Sequence, residues 1–203
     1  MVLRSRYLIF AVAAFGAGLA ARLLMPLHFG VASVLLGGGC VVAAQPKHLL
    51  PTLAVLSAAA IPFLLSHPTV VLLFVVCWWF VGLVAALSSF RARQEVATLL
   101  SLTLFGVLCT LPLGSAVLPE GVRSGAAQFL VDGSPLAAAL YGVGYDWLRR
   151  PMLYDRIPLG AYYPYSEPTP LRTALWFLLA AVPLQVAFLL VRRKRLARGG
   201  VGS

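Results

Sequence analysis

The chain has 203 residues, of which 61% are hydrophobic and only 11% charged, with a formal net charge of +10. A water-soluble domain carries about 25% charged residues, so these side chains could not cover a surface in water, whereas lipid tolerates apolar side chains around a helix. A basic balance can mark nucleic-acid binding. Here the Arg and Lys residues flank apolar runs instead of sharing a polar face, the pattern of topology signals and lipid headgroup contact, which argues against a nucleic-acid partner.

A helix needs about 20 mostly apolar residues to cross a bilayer. Six stretches meet or approach that length: 7–27, 29–44, 49–66, 69–90, 96–118 and 171–191. The expected fold class is therefore all-α, a single polytopic transmembrane domain over 1–203 with about six transmembrane helices. Arg4 and Arg6 ahead of the first stretch, with small residues at 18–21, also fit a cleaved signal peptide. Ala14 with Gly18, and Ala17 with Ala21, have the small-xxx-small spacing that lets helices approach closely. The second stretch is short and carries Gly37, Gly38 and Gly39. It can pair with the third as a helical hairpin through Gln45, Pro46 and Lys47. Pro62 and Pro183 are expected to kink their helices, and Trp78 and Trp79, mid-stretch, to pack against other helices.

Lys and Arg placement sets the orientation. With the N-terminus inside, Arg4, Arg6, Lys47, Arg91, Arg93 and the tail residues Arg192, Arg193, Lys194, Arg195 and Arg198 all fall on the inner side. Both termini are then cytoplasmic, in what is expected to be a prokaryotic inner membrane. The last outer segment, 119–170, holds Arg123, Arg149, Arg150, Arg156 and Arg172. Their charge is offset there by Glu120, Asp132, Asp146, Asp155 and Glu167.

Segment 119–170 predicts two short helices, 121–131 and 135–150, split by Asp132, Gly133, Ser134 and Pro135. In the second, Leu136, Leu140, Val143 and Trp147 recur on one face. It is too short to span, which leaves an interfacial or re-entrant helix. The Pro- and Tyr-rich stretch 152–170 suits the headgroup layer.

Little points to catalysis, and the chain is not expected to be an enzyme. His28, His48 and His67 fall on different sides and cannot converge on a metal. Cys40, Cys77 and Cys109 read as small buried hydrophobes. Ser57, Ser88, Ser101, Thr103 and Thr110 lie in apolar runs without a Gly-x-Ser-x-Gly elbow, and read as packing hydroxyls. Arg22 and Glu95 sit near helix ends and are not midplane charges. No cofactor is expected.

The layout resembles the membrane subunits of ABC-2 type transporters, which have six spans, both termini inside and short re-entrant helices between the fifth and sixth spans. Residues 121–150 fill that place, Ser134-Pro135 matches the Ser-Pro or Asn-Pro that the family often carries there, and 171–191 followed by the basic 192–195 matches its last span and tail. The turns 45–50 and 91–95 are shorter than the family's cytoplasmic coupling segments. The resemblance implies a permease subunit of an ATP-driven exporter, working as a dimer with a separate ATP-binding subunit, because no Gly-x-x-x-x-Gly-Lys-Ser/Thr loop is present. It makes Asp132, Asp146, Arg149 and Arg150 the candidate gate or interface residues. The competing expectation is a non-catalytic accessory or scaffold subunit of a larger membrane complex.

Overall fold

The computed structural model describes residue 16 and residues 26–64, 66–118, 120–148 and 166–199. The described residues form helices α1 (Leu27–Ala44), α2 (Leu49–Leu64), α3 (Pro68–Ser88), α4 (Gln94–Thr110), α5 (Glu120–Asp132), α6 (Pro135–Gly142) and α7 (Pro170–Gly199), with no strand among them. Four segments are long and apolar enough to cross a membrane: Leu27–Ala44, Pro68–Ser88, Gln94–Gly114 and Pro170–Arg195. The predicted third span, 49–66, holds the 16-residue apolar helix α2, which is not among those four. The predicted first span, with its small-xxx-small spacing, lies outside the described residues apart from Gly16.

Helix boundaries follow local chemistry. Pro68 opens α3 at the first helical position, where its missing N–H costs nothing and its fixed φ suits the helix. α1 stops at Ala44, with Gln45 non-helical before Pro46, because a residue preceding proline is pushed out of the helical region. A short 3₁₀ turn, Pro46–His48, then leads into α2 as a tight hairpin. Glu95 lies in the first turn of α4, where a carboxylate favours the positive end of the helix dipole.

Helix α3 is the centre of the bundle and packs against α1, α2, α4, α6 and α7. It is apolar on every side, as a helix enclosed by others must be; Val70, Phe74, Cys77, Trp78 and Val81 are all buried. The indole N–H of Trp78 donates to the Leu35 carbonyl at 2.9 Å, so the one polar atom of that side chain is satisfied inside the core. Gly38 and Gly39 are buried, and an added Cβ would overlap the Trp78 ring at Gly38 and the Phe105 ring at Gly39. The glycines thus admit two aromatic rings against the α1 backbone.

Large apolar side chains also lie on the outside of the bundle. Leu99 is 67% and Leu179 69% exposed, and Leu100, Val107, Leu175, Val182, Val186 and Leu190 are exposed with them. Exposed apolar side chains in this number mark a surface that meets lipid or another protein.

The helices alternate in direction, which sorts the polar residues. At one end Gln94 Nε2 donates to Ala44 O (3.1 Å) and Thr98 Oγ1 to Ala43 O (3.1 Å), and the Arg195 guanidinium donates to Phe90 O. Lys47, Arg91, Arg93 and Arg192 to Arg195 therefore share that end. The opposite end holds His28, His67, α5, α6 and the start of α7.

One expectation for the linking segment needs revision. The helix predicted over 135–150 ends at Gly142, because Gly144 takes φ +79° and Tyr145 N donates back to Leu140 O at 3.0 Å. This left-handed stop favours glycine, and it splits the predicted apolar face: Leu136 and Val143 pack on the main core, while Trp147 packs with Ala127, Val131 and Leu148. Beyond the linking segment, α7 runs on as helix through the basic residues 192–195.

Candidate functional site

A network of polar side chains converges where α5 ends and α7 begins. Asp132 closes α5 and is only 7% exposed. Its carboxylate pairs with the Arg172 guanidinium and accepts from Gln128 Nε2, one turn earlier, at 2.8 Å. Its backbone carbonyl accepts from Thr173 Oγ1 at 3.0 Å. Arg172 also donates to Ser166 Oγ and to the Glu167 carbonyl, both at 2.9 Å. Gln128 Oε1 accepts from the Ser166 amide at 2.7 Å and from its hydroxyl at 3.0 Å.

This clasp has a local origin. Thr169 Oγ1 accepts from the Arg172 amide at 3.3 Å, and Pro170 takes the first helical position, so Thr169-Pro170 starts α7 as a cap. The cap orients Arg172 and Thr173 toward the last turn of α5. Burying a lone carboxylate would be costly. A pair whose remaining lone pairs and N–H groups are mostly satisfied is tolerated, and its members hold one another in place.

Ser134 provides the second anchor. It is fully buried; its hydroxyl accepts from the Ala137 amide at 3.2 Å, capping α6, and donates to the Cys109 carbonyl of α4 at 2.8 Å. The neighbouring Gly133 has no room for a side chain, since an added Cβ would lie 2.9 Å from both the Phe129 carbonyl and the Leu111 side chain. Pro135, Ala137, Ala138, Ala139 and Leu140 are buried, so α6 is seated in the end of the bundle against α1, α3, α4 and α7.

Beside the clasp lies a cavity of about 450 Å³, walled by Phe80, Leu108, Phe129, Trp176 and Phe177 and edged by Gln128 and Asp132. Apart from that edge its lining is apolar.

Of the four residues expected as gate or interface groups, Asp132 lies at the centre of the clasp. Asp146 sits half-buried in the irregular segment after α6, and Arg149 and Arg150 lie outside the described residues. Arg172, Gln128 and Thr173 join the site although sequence reasoning singled out none of them. The Gln128–Asp132 spacing of one helical turn was the available signal; nothing local linked Arg172 to a residue 40 positions away. His28 stacks on Tyr145 at 4.1 Å. Among the described residues no group of three His, Cys, Asp or Glu side chains is placed to hold a metal.

Fold and site together define an all-helical protein with four segments long and apolar enough to cross a membrane, compatible with an integral membrane protein. No protein-family model, curated protein or solved structure matches the chain.

Proposed function

We propose that the chain is a multi-pass protein of the prokaryotic inner membrane and the permease-like subunit of an ATP-driven, ABC-2 type exporter. Six transmembrane helices and cytoplasmic termini complete the reading. The observation that carries it is the short helix α6, which follows α5 in the chain between the last two long helices, where the resemblance expects a re-entrant element, and packs against α1, α3, α4 and α7. A short helix seated in a bundle end acts as a plug. One ion pair and a few hydrogen bonds hold its edge, contacts weak enough to exchange during a transport cycle, so the clasp serves as a gate latch. Lys47, Arg91, Arg93 and residues 192–195 gather at the other end, which the positive-inside rule assigns to the cytoplasm.

The core of a single chain supports a path between subunits. Its buried polar residues are Thr52, Ser101, Asp132, Ser134 and Thr173 among those described. Ser101 bonds back to its own helix, and three of the others belong to the clasp and the α6 cap. No polar route through one bundle follows from them, so the exporter works as a dimer and the substrate passes between copies. Without a phosphate-binding loop the chain relies on a separate ATP-binding subunit and catalyses no reaction itself.

The short turns Pro46–His48 and 89–93 favour a second reading, an accessory subunit of a larger membrane complex, because they offer little surface to an ATPase. Affinity purification of the tagged chain from its native membrane separates the two. The exporter reading expects an ATP-binding partner whose hydrolysis rate changes when Asp132→Asn is introduced. A stable complex of membrane proteins without an ATPase would replace it with the accessory role.

A further inference from the structure

We infer that the groove between the end of α3 and the last turns of α7 is a binding site for one anionic phospholipid. The inference rests on the bilayer placement proposed above, and it is independent of the exporter reading. The groove encloses about 520 Å³, within the range of ligand sites. Leu87, Ala187 and Val191 form its apolar floor, and Ser88, Arg91 and Arg195 its polar rim. Hydrocarbon wall and cationic rim thus meet as they do in a phospholipid, with the acyl chain below and the phosphate above.

Arg195 is held ready for an anion. Its guanidinium carbon lies 4.7 Å from the centroid of the Phe90 ring, and one of its nitrogens donates to the Phe90 carbonyl. Phe90 is itself braced by stacking on Phe188 at 5.7 Å. A guanidinium has five N–H donors in a fixed fork, so most remain for a phosphate, which Arg engages in bidentate fashion. Among the described residues no carboxylate pairs with Arg91 or Arg195, and Arg93, Arg192 and Arg193 add positive potential around the same end. A soluble anion would use the rim alone, whereas the groove continues into apolar wall between two long helices. That continuity selects a lipid over a free phosphate, and the positive rim selects an anionic headgroup over a zwitterionic one.

The test uses the full chain purified in detergent in 0.3 M salt, where distant charges are screened. Phosphatidylglycerol is titrated and thermal stabilisation read out, with phosphatidylcholine and glycerol phosphate as the other ligands. Phosphatidylglycerol alone is expected to stabilise, with about one lipid retained per chain in native mass spectrometry. A basic residue at an anionic headgroup contributes roughly fivefold in affinity, so Arg91→Gln/Arg195→Gln is expected to weaken binding by about twenty-five-fold. Lys47→Gln/Lys194→Gln removes the same charge away from the groove and is expected to change it by less than about threefold. Ala187→Phe keeps every charge, fills the floor and is expected to abolish retention. Equal losses in both charge variants would reduce the effect to general attraction and overturn the site. Equal stabilisation by phosphatidylcholine or by glycerol phosphate would overturn it as well. If the groove variants do not fold, the ligand comparison on the unaltered chain decides.

Discussion

The indole of Trp78 lies against the bare backbone of Gly38, and its N–H donates to the Leu35 carbonyl one turn earlier in the same helix. Two helices are thereby fixed at the distance one aromatic ring allows. The contact is selective within the glycine triplet: Gly38 has no room for a methyl group, whereas an added Cβ at Gly37 meets nothing within 4 Å.

Gly38→Ala is therefore expected to destabilise the protein by about 1–3 kcal/mol through overpacking. Gly37→Ala is expected to be neutral or to stabilise by up to about 1 kcal/mol, since alanine is the better helix former. Reversible unfolding in mixed micelles compares them. Similar losses at both positions would show that the α1–α3 contact is not where the structure has it.

The clasp gives a double-mutant cycle. Arg172→Ala leaves the buried Asp132 carboxylate with Gln128 alone, and is expected to cost about 1–3 kcal/mol, less than a fully buried pair because the Arg172 side chain is 37% exposed. Asp132→Ala/Arg172→Ala should cost less than the sum of the single changes, with a coupling of about 1 kcal/mol or more. Strict additivity would mean that the two side chains do not act together.

Ser134→Ala removes both the cap of α6 and the bond to Cys109 O. Loss of the cap alone is expected to cost about 1 kcal/mol, and the unpaired Cys109 carbonyl adds to it. Ser134→Thr keeps the hydroxyl and should recover part of the loss, as seen by proteolysis near 134 in detergent. Equal sensitivity of the Ala and Thr variants would separate the effect from the hydroxyl.

Much of this architecture is written in local chemistry. Uninterrupted apolar runs mark α1, α3, α4 and α7, and Ser134-Pro135 reads as a helix start from the sequence alone. What escapes is what depends on tertiary placement. Gly37, Gly38 and Gly39 look alike in a sequence, and because a helix turns by about 100° per residue, only packing decides which of them faces Trp78. Gly144 gives no sign that it will adopt a positive φ and end α6 eight residues before Arg150. Asp132 stands out as an acidic residue at a break between helices, but its partner Arg172 belongs to a helix start that long-range folding brings alongside.

The placement of the two ends on opposite sides of a bilayer is tested most directly by cysteine labelling in intact cells. Cys40, Cys77 and Cys109 are first replaced, and single cysteines are introduced by Thr69→Cys, Glu167→Cys, Ala92→Cys and Lys194→Cys, all at exposed positions. A membrane-impermeant maleimide is expected to label positions 69 and 167 at once, and positions 92 and 194 only after the membrane is opened. Labelling of 92 and 167 from the same side would contradict the account.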